Sequence, residues 1–164
     1  MINPTPIKRS PAIVQFSKDH HFALLLIWKI RQGLRFGIDT TRIYKYVNYF
    51  FINFLEEHLQ EEEELLFVHI EKDNDLRRTV EKDHFALRAF AEKINLQADV
   101  TTLSEFAKRL ETHIRFEERE LFNVLQKKIP QSDLQIICNK MESSHKKQPD
   151  DKWEDEFWIK KVYS

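Results

Sequence analysis

Proline is absent from the long central part of the chain, between Ala12 and Ile129, and the whole chain contains only two glycines. A proline inside a helix removes a hydrogen bond and clashes with the preceding turn, whereas a β-rich fold requires many turn-forming residues. The scarcity of both residue types therefore predicts an all-α protein. The 164 residues, of which 41% are hydrophobic and 32% charged, suit one globular domain with a single core.

Apolar residues recur at helical spacing through four long segments, which short polar connectors separate. We predict helices over residues 12–36, 41–70, 74–96 and 101–129. Long helices with short connectors favour an antiparallel up-and-down four-helix bundle, which would occupy residues 12–130. The proline-rich residues 1–11 predict an extended lead-in. Residues 131–164 predict a short C-terminal helical extension, over 132–145, and an acidic, aromatic tail that packs on the bundle.

The same spacing predicts which side chains face the core and where helices begin. The predicted inner faces include Phe16, Leu24 and Ile27 in the first helix and Phe51, Leu55 and Leu65 in the second. They include Val80 and Leu87 in the third helix and Leu110, Leu121 and Val124 in the fourth. The Asp39-Thr40-Thr41 cluster is predicted to contain the cap of the second helix, and Asn74 or Asp75 is predicted to cap the third. Thr102 with Glu105 has the spacing of a capping box, which predicts the start of the fourth helix.

Each predicted long helix carries one histidine on its apolar face, and two of these histidines precede a glutamate by four residues. The histidines are His20, His58, His84 and His113, and the glutamates are Glu62 and Glu117. Residues four apart share a helix face, so both members of a pair can point at one spot in the core. A buried glutamate is costly unless it is paired or bound to metal, and imidazole suits iron and zinc. The set favours a dinuclear metal centre; the alternative is that each histidine is an ordinary core residue.

These residues stand in stretches that resemble the hemerythrin-type HHE cation-binding domain. The stretches are Phe16-Ser-Lys-Asp-His20-His21, His58-x-x-x-Glu62-Glu63, Lys82-Asp83-His84 and His113-Ile-Arg-Phe-Glu117-Glu118, in the order of the family. The resemblance implies an antiparallel four-helix bundle around a non-heme di-iron centre, with zinc or manganese as substitutes for iron. It implies a ligand set of His20, His58, Glu62, His84, His113 and Glu117. In that set, Glu62 and Glu117 would bridge the two ions.

Two of these positions have an adjacent residue of the same type. We prefer His20 to His21 because His20 lies one turn after Phe16 on the apolar face. Some hemerythrins space the last carboxylate five residues after its histidine, but we prefer Glu117 to Glu118 because Glu117 shares the apolar face of the fourth helix. The remaining candidates are expected to be solvated surface residues, namely Glu61, Glu63, Glu64, His69 and Glu81.

The oxygen-carrying members of the family have a second histidine one turn along the third helix, which this chain lacks. Val80 and Arg88 occupy the turns that flank His84. The resemblance therefore implies oxygen, redox or nitric oxide sensing, or iron handling, rather than reversible oxygen carriage. The small ligand would be dioxygen, nitric oxide or peroxide. Two alternatives stay open, a di-iron oxidase or peroxidase-type enzyme and a metal-free helical interaction module.

Charge and cysteine content restrict the partners and the compartment. The net charge of −1 indicates no basic face for nucleic acid. The single cysteine, Cys138, excludes a disulfide framework, and the N-terminus lacks the apolar segment of a signal peptide. The longest apolar run, residues 22–28, is too short to span a bilayer. We therefore expect a cytoplasmic protein that binds neither nucleic acid nor membranes, and a separate protein partner for any signalling.

Overall fold

The computed structural model describes residues 8–144 and 152–161, and all regular elements within them are helical. The helices are α1 (Pro11–Arg35), α2 (residues 40–69), α3 (Asp75–Leu96), α4 (residues 100–128) and α5 (Gln131–Ser144). This confirms the prediction of an all-helical chain. Most of the predicted lead-in lies outside the described residues, as does His145 at the predicted end of α5. Within the described ranges, no helix combines the length and apolar character that a membrane span requires.

Two of the long helices contain π-helical turns. In α2 the order is Thr40–Phe50 (α), Phe51–Leu55 (π), Glu56–Glu61 (α), Glu62–Leu66 (π) and Phe67–His69 (3₁₀). In α4 the order is Val100–Phe116 (α), Glu117–Leu121 (π) and Phe122–Lys128 (α). A π turn holds an extra residue, so the side chains that follow it are rotated relative to a regular α-helix.

The predicted inner face differs from the observed one by one residue at two positions, one within a π turn and one after a π turn. Leu65 is only half-buried, whereas Leu66 is fully buried, and Val124 is likewise half-buried beside the fully buried Leu125. The regular spacing used for the prediction does not include the extra residue of the π turn.

The prediction for Leu24 is also wrong, for a different reason. Its side chain is 41% exposed, and Ala23, three residues after His20, is buried instead. Positions three and four residues along a helix both lie near the same face, so spacing alone does not decide between them.

The helix ends follow the chemistry of their flanking residues. Gly37 has a positive φ of 64° just after α1, a conformation that glycine adopts without a steric penalty. The Asp39 carboxylate accepts a hydrogen bond from the first turn of α2, and Asn74 does the same for α3, as predicted. The predicted cap of α4 is wrong, because Thr102 donates its backbone N–H to Asp99 and α4 begins at Val100.

The long helices pack in cyclic order around a layered core. α1 contacts α2 and α4, while α3 contacts the same two helices, and α5 covers part of α1. One apolar cluster, the Ile27 cluster, includes Ile27, Val47, Leu55, Leu87, Leu103 and Leu110. The other, the Phe16 cluster, includes Phe16, Leu66, Val80, Leu121, Leu125 and Met141. Along α1 and α3, His20 and His84 lie between residues of the two clusters, and along α2 and α4 the central glutamates Glu62 and Glu117 do.

The aromatic tail packs on the bundle, as predicted. Phe157 and Trp158 are buried and contact the Tyr46 ring of α2. The Lys29 ammonium lies 4.0 Å from the centre of the Trp158 ring and donates a 2.9 Å hydrogen bond to the Tyr46 hydroxyl. A methyl group at Gly33 would come within 2.9 Å of the Phe157 ring, so the absence of a side chain there permits the close approach of the tail.

Candidate metal centre

The six side chains predicted from the sequence meet in one buried cluster between the two apolar layers. None is more than 4% exposed, and they are His20, His58, Glu62, His84, His113 and Glu117. They form two groups of four that share both glutamates, and the potential ligand atoms within each group lie within 4.8 Å of one another. One group adds His20 and His58 to the glutamates, and the other adds His84 and His113. Helical spacing thus predicted the convergence of residues from four helices.

The two glutamates lie between the histidines. Glu62 places one carboxylate oxygen 2.9 Å from His58 Nε2 and the other 3.1 Å from His84 Nε2. Glu117 lies 2.6 Å from His113 Nε2 and 3.5 Å from His20 Nε2. Each carboxylate therefore faces a histidine from each of the two groups, which is the arrangement expected of a residue that can bridge two cations.

Several of these inward-facing atoms are close together without forming well-directed hydrogen bonds. The buried atoms that lack a hydrogen-bond partner include His20 Nε2, His84 Nε2, His113 Nε2 and both carboxylate oxygens of Glu62 and Glu117. Burying polar atoms in this way is costly unless a partner compensates them. Imidazole nitrogens and carboxylate oxygens together are suitable donors for iron, zinc or manganese. The donor set therefore fits a pair of cations at this position.

The other ring nitrogen, Nδ1, of each histidine is hydrogen-bonded to a carboxylate. We call these four residues, Asp19, Glu63, Asp83 and Glu118, the outer carboxylates. The pairs and their distances are His58 with Asp19, 3.0 Å; His84 with Glu63, 3.0 Å; His113 with Asp83, 3.2 Å; His20 with Glu118, 2.8 Å. A carboxylate can only accept, so Nδ1 carries a proton and Nε2 is the nitrogen left to face the centre.

Sequence reasoning missed the outer carboxylates. Glu63 was expected on the solvated face, but it accepts hydrogen bonds from His84 and from Arg88. Glu118 was expected to point toward a neighbouring helix or solvent, and its neighbour proves to be His20. The available signal was that an acidic residue directly adjoins a central residue in each helix, as Asp19 adjoins His20.

The residues that we ranked lower lie outside the cluster. His21 is exposed, whereas His20 is buried, so the predicted phase of α1 is confirmed at this point. Glu81 is exposed and forms a 2.7 Å ion pair with Arg77. His69 lies in the last turn of α2 and belongs to neither group of potential ligands.

A π turn begins at each of the two central glutamates. The residue that follows each π turn contacts a histidine ring: Phe122 stacks on His20, and the Phe67 ring lies against His84 at an interplanar angle of 43°. Phe67 lies 5.1 Å from the His84 ring and Phe122 lies 5.4 Å from the His20 ring, measured between ring centres. The extra residue therefore aligns an aromatic wall with the cluster, and π turns are frequent at functional sites.

Without metal, charge pairing controls protonation in the cluster. Burial lowers the pKa of His113, but the Glu117 charge and the hydrogen bond to Asp83 more than offset it and raise the pKa to about 10. Burial acts in the same direction on His58, and the Glu62 charge and the bond to Asp19 raise its pKa to about 9. Burial raises the pKa of Glu62, yet the adjacent histidines hold it well below its usual value. In the metal-free cluster these shifts favour the imidazolium form of His58 and His113 and the carboxylate form of Glu62.

These pKa shifts predict the pH dependence of the metal-free protein. A histidine whose pKa is higher in the folded state contributes stability below its unfolded pKa, about 6.5, and loses that contribution as pH rises through the folded value. Because the folded values are about 9 for His58 and about 10 for His113, we expect the thermal midpoint in chelator to fall between pH 7 and pH 10. Melting curves across this range test it; a midpoint that rises over the whole range would contradict the assigned pairing.

Comparison with known proteins agrees with this geometry. The sequence profile of the family described as hemerythrin HHE cation binding domain matches residues 13–125, a stretch that contains all six central residues. No curated protein and no solved structure gave a significant match to the chain. The matched stretch covers more than half of the chain and ends within α4, so the resemblance inferred from the histidine and glutamate spacing is confirmed. The chain belongs to the hemerythrin HHE cation-binding domain family.

Proposed function

We propose that the chain binds two non-heme iron ions in the central cluster. One ion would be held by His20 and His58, the other by His84 and His113, and Glu62 and Glu117 would bridge them. The observation that carries the proposal is the pair of four-residue groups that share two fully buried glutamates. Bound iron would supply redox chemistry and affinity for small oxygen- or nitrogen-containing ligands. The protein supplies a dry pocket and fixed imidazole orientations.

We also propose that the four long helices run antiparallel in up-and-down order. The support comes from the order of the two apolar clusters along each helix. α1 leads from the Phe16 cluster to the Ile27 cluster, α2 leads back, and α3 and α4 repeat this alternation. Short connectors between consecutive helices are compatible with the same arrangement.

The surroundings of His84 favour a sensing or iron-handling function over reversible oxygen carriage. Val80 is fully buried among apolar residues, and Arg88 donates hydrogen bonds to Glu56 and Glu63. Neither residue supplies a further nitrogen ligand, and among the described residues each group of potential ligands contains only two histidines. We therefore propose a gas- or redox-responsive di-iron protein of the cytoplasm, with dioxygen, nitric oxide or peroxide as its ligand and a separate protein as its partner.

The ligand assignment has a direct test. Anaerobic protein loaded with ferrous iron should change its visible absorption on addition of nitric oxide, dioxygen or peroxide. The same protein loaded with zinc should not, because zinc has no accessible redox change. An iron-loaded spectrum that none of the three ligands alters would contradict the sensing function while leaving iron binding intact.

The stoichiometry is the first requirement of the proposal. We expect about two irons per chain, since the two groups of four residues offer two adjacent positions. Elemental analysis of protein reconstituted with ferrous iron, after removal of loosely bound metal, measures this ratio. Tight binding of a single ion would contradict the dinuclear centre, and failure to bind iron, zinc or manganese would contradict metal binding altogether and favour the metal-free interaction module.

A further inference from the structure

The outer carboxylates link the four long helices in a closed ring. Each accepts a hydrogen bond from a histidine of the next helix in cyclic order. Asp19 of α1 binds His58 of α2, Glu63 of α2 binds His84 of α3, Asp83 of α3 binds His113 of α4, and Glu118 of α4 binds His20 of α1. A coincidental set of surface carboxylates would not be expected to pair once with every histidine and once across every helix contact.

On each helix, two adjacent positions supply one residue to the central cluster and one outer carboxylate. Consecutive residues of a helix point about 100° apart, so when His20 faces the centre, Asp19 faces a neighbouring helix. The outer residue precedes the central one in α1 and α3 and follows it in α2 and α4, where Glu63 follows Glu62. Seen along the bundle axis, the side-chain direction turns in the same sense on moving one residue backward along a helix as on moving one residue forward along an antiparallel neighbour. The antiparallel order proposed above therefore gives every outer carboxylate the same direction around the bundle.

We propose that the four outer carboxylates are positioning residues that fix each imidazole with Nδ1 protonated and Nε2 directed at the cations, and thereby set the metal affinity of the centre. This inference rests on the proposed metal site. A hydrogen bond at the outer nitrogen defines the tautomer and ring orientation of a metal-binding histidine and raises its basicity as a ligand. None of the outer carboxylates belongs to either group of potential ligands.

The outer carboxylates differ in their exposure to water, and Asp19 stands apart from the other three. The Asp19 side chain is 3% exposed, whereas that of Asp83 is 34% exposed. Water can replace the Asp83 carboxylate at the His113 ring more easily than it can reach the buried ring beside Asp19. Glu63 is itself held by Arg88 at 2.6 and 3.1 Å, which limits its movement. The side chains of Glu63 and Glu118 are each 30% exposed, so loss of the acceptor should weaken metal binding most at Asp19.

The test uses Co²⁺ as a probe, because its visible absorption reports the ligand field. The variants are Glu63→Ala and Asp83→Ala, with Glu63→Gln as the conservative change that keeps an acceptor oxygen. Competition with a chelator should show Co²⁺ binding weakened on the order of 10–100-fold in both Glu63→Ala and Asp83→Ala, and partly restored in Glu63→Gln. The absorption bands of Glu63→Ala should also shift, because His84 is no longer held in one orientation.

Glu64→Ala and Glu81→Ala are the matched controls, since both residues are exposed and each lies within three residues of a central one. They should keep the affinity and spectrum of the unaltered protein. The contrary outcome is that the unaltered protein binds two Co²⁺ ions, while Glu63→Ala and Asp83→Ala bind them as tightly as the unaltered protein and with its spectrum. In that case the outer carboxylates have no positioning function, whatever the loss of thermal stability. If the unaltered protein binds no metal, it is the proposed function that fails.

Discussion

Replacing His20 by alanine should strip iron from the protein, whereas replacing His21 should leave it in place. His20 is buried in the central cluster, and His21, one position along the same helix, is exposed. Residues that merely hydrogen-bond a metal ligand already change affinity on the order of 10–100-fold, so loss of a ligand should weaken binding by about 100-fold or more. Iron content after gel filtration, together with the absorption of the oxidised centre, measures the effect.

The fourth helix offers a parallel contrast. Glu117→Ala should abolish dinuclear binding, because Glu117 is fully buried and shared by both groups of potential ligands. Glu118→Ala should have a smaller effect, because Glu118 meets the cluster at the outer nitrogen of His20 and belongs to neither group of potential ligands. Retention of full iron by both His20→Ala and Glu117→Ala would show that the metal binds elsewhere. Loss of iron in His21→Ala alone would show that the phase of α1 differs from the one described.

Removing the metal should lower the thermal midpoint of the protein markedly. Ions that bind only the folded state stabilise it by mass action, by about 2.7 kcal/mol for each site at about 100 times its dissociation constant. For a domain of this size, 1 kcal/mol changes the midpoint by about 2–4 °C, so one such site corresponds to about 5–10 °C. Differential scanning calorimetry before and after chelation, with metal loss checked by elemental analysis, measures the shift.

The control for this experiment is the protein with Glu62 replaced by alanine, which should lose the shared carboxylate of both groups. Its midpoint should be nearly insensitive to the chelator, because it has little metal to lose. If the unaltered protein melts at the same temperature with and without confirmed metal, the cluster is not a folding-linked metal site. That outcome would favour the metal-free interaction module.

Local spacing was sufficient to predict the central residues of the cluster. His58 and Glu62 are four positions apart, so one helical turn brings them together whatever the rest of the chain does. Their coincidence with a histidine on the apolar face of every other long helix was also visible without a structure. Burial confirms the choice of His20 over His21. The identity of the residues as metal ligands stays a prediction.

The π turns could not be predicted from the spacing of apolar residues. A pattern search assumes a constant rotation per residue, and an inserted residue breaks that assumption without any distinctive sequence signal. This is why Leu65 and Val124 were expected in the core in place of Leu66 and Leu125. The central glutamates stand at the beginning of the turns, before the extra residue has any effect, and they lie on the inner face as predicted.

The sequence by itself therefore determined the helices, their inner faces near the histidines and the family of the chain, because each depends on residues within a few turns of one another. Only the tertiary structure decided which acidic residues serve the histidines. Glu63 and Glu64 are equally polar and adjacent, yet only Glu63 meets His84, because the rotation of α2 against α3 brings that one side chain within 3.0 Å. Such a pairing depends on how two helices pack, and spacing along a single helix does not contain that information.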